Sequence, residues 1–273
     1  MLAFMNMTAF AKEVKSLLKN AFDFTAVLSA FFPLVLATSP AAAIPGQIGV
    51  VRSHDNSQQW PEIANRMRAS GLNYCILEAS NWQEEKDLQG ISLLVLPNVA
   101  SLNGLQVESL GKWLKRGGRA IVTGPTGTLA QQEVRDQLKS MLGAYWGYIN
   151  SVPTTIRPAE GQSSWSNRAQ LSSIIIGGVV IPAGINSKTE AIWLSDGKPP
   201  AVVVSDKVAF LGWRWGVDNV SSTPLDTAWL QASLIRLGIS PNSILFSIKT
   251  EPRDCNPSRP SADDTAPILP NLN

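Results

Sequence analysis

A chain of 273 residues with 44% hydrophobic and 16% charged side chains has the composition of a globular domain with extensions, not of a disordered polymer. Its net charge of +2 is scattered, which excludes the basic field that a nucleic-acid partner demands. A single histidine excludes a multi-histidine metal site, and two cysteines, Cys75 and Cys255, exclude a cysteine-based zinc site or a dense disulfide framework.

Residues 1–43 read as a targeting segment. Lys12, Lys15 and Lys19 precede a largely apolar run of 14 residues, Phe24–Ala37, and Ala41-Ala42-Ala43 supplies a small-residue cleavage site. Pro33 interrupts the run, which is shorter than the roughly 20 residues of a membrane-spanning helix, so no stable membrane span is expected. Cleavage after Ala43 makes the protein exported, periplasmic or extracellular; an uncleaved anchor is the alternative.

Residues 44–240 form the domain proper. Gln47–Val51 is a first strand, ending in the polar turn Ser53–Ser57. Trp60, Ile63, Ala64 and Met67 recur at helical spacing up to Gly71, which places Pro61 in the first turn of that helix. Tyr74–Leu77 is a second strand, and Ile91–Leu96 a third, terminated by Pro97-Asn98. Leu102, Leu105, Leu110, Trp113 and Leu114 stripe the next helix, up to Gly117. Arg119–Thr123 is a fourth strand with a glycine-rich turn, Gly124–Gly127, at its carboxyl end, and a helix over about 130–142 follows. The strands are continuous apolar runs without alternation, as burial on both faces requires. Strands alternating with helices predict an α/β fold: a doubly wound, flavodoxin-like, mostly parallel sheet.

After Gly143 the pattern changes. Residues 150–172, rich in Ser, Pro, Gln and Asn, read as an excursion or loop. Ile174–Ile176 and Val179–Ile181 flank a tight turn or bulge at Gly177-Gly178. Ala191–Leu194, Ala201–Val204 and Val208–Trp213 read as added antiparallel strands, with turns at Asp196-Gly197 and Asp206-Lys207. Leu225, Ala228, Trp229, Ala232 and Ile235 share one face of a last helix that stops at Gly238. Residues 241–273 carry six prolines and read as a disordered tail.

The motifs Leu96-Pro97-Asn98, Gly117-Gly118-Arg119, Leu142–Gly147, Gly178–Pro182 and Phe210–Asp218, in this order, resemble the class I glutamine amidotransferase-like fold. The chain is most similar to its non-catalytic versions attached to glycoside hydrolases: the trimerisation domain of family 42 β-galactosidases and the amino-terminal domain of cyanobacterial family-10-like glycosyl hydrolases. The resemblance implies an accessory, carbohydrate-associated role with a glycan or glycoside hydrolase as partner, or a homo-oligomer. A glycoside hydrolase lacking its (β/α)₈ barrel is a further alternative, because the residues beyond Gly238 fall far short of the ~250 a barrel takes. Amidotransferases carry a cysteine at the turn after the strand matching Arg119–Thr123, with histidine and glutamate downstream. Here the turn is Gly124-Pro125-Thr126-Gly127 and no histidine follows His54, so no catalytic residue is assigned.

Three groups of side chains are candidates for binding. Trp213 and Trp215 are two apart on an expected strand, so both rings face one side, with Arg214 opposite. They would offer a platform for a sugar, with Arg214 or Asp218 hydrogen-bonding it, although buried-strand periodicity favours packing both rings into the core. His54, Asp55, Asn98, Gly124 and Thr126 converge on the carboxyl rim of the sheet, where open α/β folds bind ligands. Helix capping and turn formation account for the same residues. No cofactor is expected, since no fingerprint such as G-x-G-x-x-G occurs. Glu78, Asp55 and Asp218 could serve as paired carboxylates of a glycosidase, but no spacing demands it; Glu84, Glu85 and Asp87 read as a solvated face. Cys75 reads as a small buried residue, and a disordered tail gives Cys255 no reason to meet it.

Overall fold

The computed structural model describes residues 46–150, 152–161, 174–217, 223–239 and 251–256. The expected targeting segment, Asp218 and most of the expected tail lie outside the described residues.

The strands β1 (Gln47–Arg52), β2 (Tyr74–Glu78), β3 (Ile91–Pro97) and β4 (Arg119–Thr123) pair in parallel in the order β2-β1-β3-β4. The fifth place in this parallel core belongs to β11 (Val208–Leu211), which the sequence pattern makes an added antiparallel strand reaching Trp213. It pairs with β4 in the parallel register Val208↔Ala120 to Leu211↔Thr123, because the chain returns to the open side of β4. The order is that of a flavodoxin-like sheet, with its switch point between β1 and β3. Beyond β11 the sheet continues in antiparallel fashion through β10 (Pro200–Val204), β9 (Lys188–Trp193), β6 (Thr154–Pro158) and β7 (Ile174–Ile175). A separate antiparallel pair is made by β5 (Ala144–Ile149) and β8 (Gly178–Pro182).

The apolar runs of the parallel strands divide between two cores. Ile48, Val50, Leu93, Val95, Ile121, Ala209 and Leu211 face α1 (Trp60–Ala69) and α4 (Thr223–Arg236). Val51, Leu94, Leu96, Ala120, Val122, Val208 and Phe210 face α2 (Gly104–Lys115) and α3 (Gln132–Leu142). Both faces of the sheet are covered, which is why the strand sequences do not alternate. Pro61 lies in the first turn of α1, and Gly143 ends α3 at φ 72°.

Four further expectations need correction. Residues 154–158 form β6 within the stretch read as a loop, because pairing with β9 and β7 supplies backbone partners that a polar composition conceals. The tight turn or bulge read at Gly177-Gly178 is a crossing from one sheet to another: β7 and β8 belong to different sheets, and a Cβ at Gly178 would lie 2.1 Å from the Trp146 ring. Leu105 does not join the buried stripe of α2 and is 58% exposed. Residues 251–256 are not a free tail but lie along β2, with Cys255 joined to Cys75.

Candidate functional site

The parallel strands deliver their carboxyl ends to one rim, and the loops that follow them make the candidate site. Asn98, the residue after β3, is buried and has φ 56°, a left-handed conformation that asparagine tolerates better than most residues. Its side chain copies a peptide group. Nδ2 donates to the Trp215 carbonyl at 2.7 Å, and Oδ1 accepts from the Trp215 N–H at 3.0 Å and from the Thr123 hydroxyl at 3.2 Å. Asn98 thereby joins the loops after β3 and β11 across 117 residues of sequence. Gly124 sits against this link at φ +60°, and a Cβ there would lie 2.8 Å from Asn98 Oδ1 and 2.9 Å from Arg214 Cγ. Only glycine fits, both in dihedral and in space.

Thr126 is buried in the same turn. Its hydroxyl accepts from the Val99 N–H at 3.2 Å and lies 2.8 Å from the Thr123 carbonyl, to which it donates. Asp55 is half-buried and receives the Ser101 N–H at 2.6 Å and the Ser101 hydroxyl at 3.2 Å, pinning the loop after β1 to the loop after β3. His54 is exposed beside it. The structure brings Asp55, Asn98, Gly124 and Thr126 to one rim, where Arg214, expected on a strand, joins them beside Gly124, but hydrogen bonds between the loops already engage Asp55, Asn98 and Thr126.

The tryptophans take the buried place that periodicity favours, but not on a strand. β11 ends at Leu211, so Trp213 and Trp215 lie in the loop beyond it, and they are 1% and 0% exposed. Trp213 donates from Nε1 to Asp226 Oδ1 at 2.5 Å and meets the Trp229 ring edge-on with centroids 6.0 Å apart. Rings enclosed in this way present no face for a sugar, and the apolar area that they bury is the physical reason. Asp218 lies outside the described residues. Two of the carboxylates read from sequence have local partners. Glu78 accepts from Arg52 Nε at 2.5 Å, and Asp87 is buried, accepting the Gln83 and Glu84 N–H groups at 2.9 Å each, so it caps a turn and is not on a solvated face.

Sequence reasoning passed over three residues. Asn56 is fully buried at the switch point, where Nδ2 donates to the carbonyls of Val51 at 3.0 Å and Pro97 at 2.7 Å, while Oδ1 accepts the Ser53 N–H at 2.9 Å. It fills the crevice between β1 and β3 where such folds otherwise admit a ligand; the Ser53-x-x-Asn56 spacing was its signal. Arg66 and Asp226 form a buried ion pair between α1 and α4. Each is a charge at a core-facing position, Arg66 beside Ile63 and Met67, Asp226 three residues before Trp229.

An open cleft lies on the rim. It has a volume of about 350 Å³ and lies between the loop after β3 and the start of α3, lined by Ser101, Asn103, Gln106, Leu129, Gln131 and Val134 among others. Asn103 and Gln106 cap α2 reciprocally, at 2.8 and 2.9 Å, so their polar atoms are engaged as well. Among the described residues, no cluster of three or more His, Cys, Asp or Glu side chains could hold a metal ion.

No protein-family profile and no curated protein matches the sequence. Solved structures do match the fold. A cold-adapted β-galactosidase from Rahnella sp. R3 superposes with a TM-score of 0.54 at 14% identity, over 71% of this chain and 32% of that one. Gan42B, a GH42 β-galactosidase from G. stearothermophilus, gives 0.52 at 11% identity, over 72% of this chain and 31% of its own. A ThuA-like protein from Bacteroides uniformis gives 0.53 at 10% identity, over 74% of this chain and 96% of its own. The chain spans about a third of the length of the β-galactosidases that it matches. At these identities the likeness is one of fold. The domain has an α/β, flavodoxin-like fold shared with these structures, a parallel core extended by antiparallel strands.

Proposed function

We propose that this chain is a non-catalytic, exported accessory domain of the glycoside-hydrolase-associated type, which holds a protein partner and turns over no substrate. The state of the carboxyl rim carries this reading. Asn56, Asn98 and Thr126 direct their polar atoms at peptide groups of neighbouring loops. At the turn where the resemblance puts an amidotransferase nucleophile stands Gly124-Pro125-Thr126-Gly127, and both cysteines are joined elsewhere. A domain whose ligand-binding rim is tied up in this way works through its outer surface.

Exposed apolar side chains mark such a surface. Leu194 donates its N–H to the Thr155 carbonyl, and Thr155 stands opposite Ile174, so Leu194 and Ile174, 45% and 65% exposed, flank β6. The Asn150 N–H bonds the Gly177 carbonyl and draws Ile149 and Tyr148, more than half exposed, toward the same end of the domain. Apolar groups gathered beside a short edge strand are what a protein interface covers. The second reading is a glycan in the rim cleft, whose volume of about 350 Å³ suits a saccharide unit. No aromatic ring lines that cleft, and the protein reading is preferred for that reason.

The full chain and an Ile174→Glu/Leu194→Glu variant decide the matter by sedimentation velocity and by titration with a panel of soluble oligosaccharides. Self-association that the folded variant loses supports the protein-partner reading, with a second copy as the simplest partner. Saccharide binding equal in both proteins moves the function to the cleft and overturns it.

A further inference from the structure

The edge strand β2 has an attachment that the function proposed above does not use. Residues 251–256 run beside it: the Ile76 N–H donates to the Arg253 carbonyl at 2.9 Å, and the Cys255 N–H donates to the Ile76 carbonyl at 2.8 Å. Asp254 thus stands in parallel register with Ile76, a short sixth strand added to the parallel core. Asn256 Nδ2 reaches the Asp87 carbonyl at 3.0 Å, and Cys255 is joined to Cys75, whose Cα lies 4.9 Å away across 180 positions of sequence.

We propose that residues 251–256 are a redox-latched strap over the open edge of the sheet, closed while Cys75 and Cys255 are joined and released when a dithiol reduces them. Glu251, Arg253 and Asp254 are exposed, so the strap buries little apolar surface of its own. Two backbone hydrogen bonds and one side-chain bond return less free energy than fixing six backbones in place costs. The covalent link is therefore what keeps the strap on β2. In an oxidising compartment the link persists and the edge stays covered, which denies β2 to a foreign strand.

The chemistry is a thiol–disulfide exchange. A thiolate of the dithiol attacks Sγ of Cys255, the partly exposed partner, and buried Cys75 leaves as a thiolate that takes up a proton. The second thiolate of the reductant then attacks its own sulfur in the mixed disulfide, and the Cys255 thiolate leaves and is protonated. The reductant departs as a disulfide, and the chain has gained two electrons and two protons. Release uncovers the Ile76 N–H and carbonyl, the groups that an added strand would use.

Hydrogen–deuterium exchange of the full chain, oxidised and after dithiothreitol, tests the proposal, with Cys255→Ser as a reductant-independent copy of the released state. In the reduced protein and in the variant, the peptides covering 251–256 and Ile76 should exchange at least tenfold faster, while those of β3 and β4 keep their protection. Unchanged protection of 251–256 after reduction overturns the latch, since non-covalent contacts would then hold the strap. Simultaneous loss at β3 and β4 also overturns it, because the disulfide would then be a staple for the whole fold. Two free thiols per chain in untreated, oxidatively expressed protein overturn it outright. If Cys255→Ser does not fold, the reduced wild type carries the same comparison.

Discussion

At Asn98 one side chain serves both the geometry and the chemistry of the rim. Its φ of 56° suits asparagine, and its amide pairs both peptide groups of Trp215 in a buried setting. Replacing it with alanine leaves those two groups without partners, at about 1–3 kcal/mol each, and gives up asparagine's tolerance of the left-handed region, at roughly 1 kcal/mol. Asn98→Ala should therefore lower the unfolding free energy by about 3–7 kcal/mol in urea titration. Asn98→Gly should cost about 1 kcal/mol less, because the dihedral strain disappears and only the lost bonds remain. Equal losses for the two variants would show that the dihedral carries no weight.

At the scale of the element, the turn after β4 is set by its neighbours as much as by its own residues. The Gly127 N–H bonds the Val99 carbonyl at 2.9 Å, the Gly124 N–H bonds the Leu211 carbonyl at 3.2 Å, and Thr126 closes the turn from inside. Gly124→Cys would place a nucleophile in the turn where amidotransferases carry theirs. Its Cβ would meet Asn98 Oδ1 and Arg214 Cγ at 2.8 and 2.9 Å, so the variant should be destabilised by about 2–3 kcal/mol through strain and displaced partners. It should release no ammonia from glutamine, because the chain's one histidine, His54, is an exposed residue in the turn after β1. Measurable glutamine hydrolysis by this variant would contradict the non-catalytic reading. The helices obey simpler rules: α2 starts at a reciprocal Asn103–Gln106 cap and stops at Gly117, whose φ is 106°.

For the whole molecule, a sheet covered on both faces leaves its edges as the places where solvent and stability meet. Tyr74 opens the edge strand β2, with its hydroxyl buried and without a hydrogen-bond partner. Burial raises its pKa above 10.0, Arg68 opposes that rise, and Glu251 of the strap adds to it. The folded state holds this proton to higher pH than the unfolded chain does. Its contribution to stability is whole below the unfolded value near 10.0 and is lost as pH climbs through the folded one. Tyr74→Phe should unfold within about 1 kcal/mol of wild type at neutral pH, since no bond is broken, and should lose less stability above pH 10. Parallel alkaline limbs in the two proteins would show that other groups govern that range.

By itself, the sequence determined four strands of the parallel core, its coverage on both faces and the turns at Gly117, Gly143 and Asp196-Gly197, but not the fifth strand, β11. Apolar runs, helical stripes and glycines are local signals, and local sterics and burial enforce them. The tertiary structure alone decided which polar groups meet. Asn98 finds Trp215 over 117 residues, Arg66 finds Asp226 over 160, and Cys75 finds Cys255 over 180. Such pairings depend on how the crossovers return the chain to the rim or edge, and no periodicity encodes that return. The same reason explains β6, whose polar residues become a strand because β7 and β9 lie on either side. It also explains why Trp213 and Trp215 leave the expected strand: both lie in the loop after β11, and their rings join the core that α1 and α4 cover.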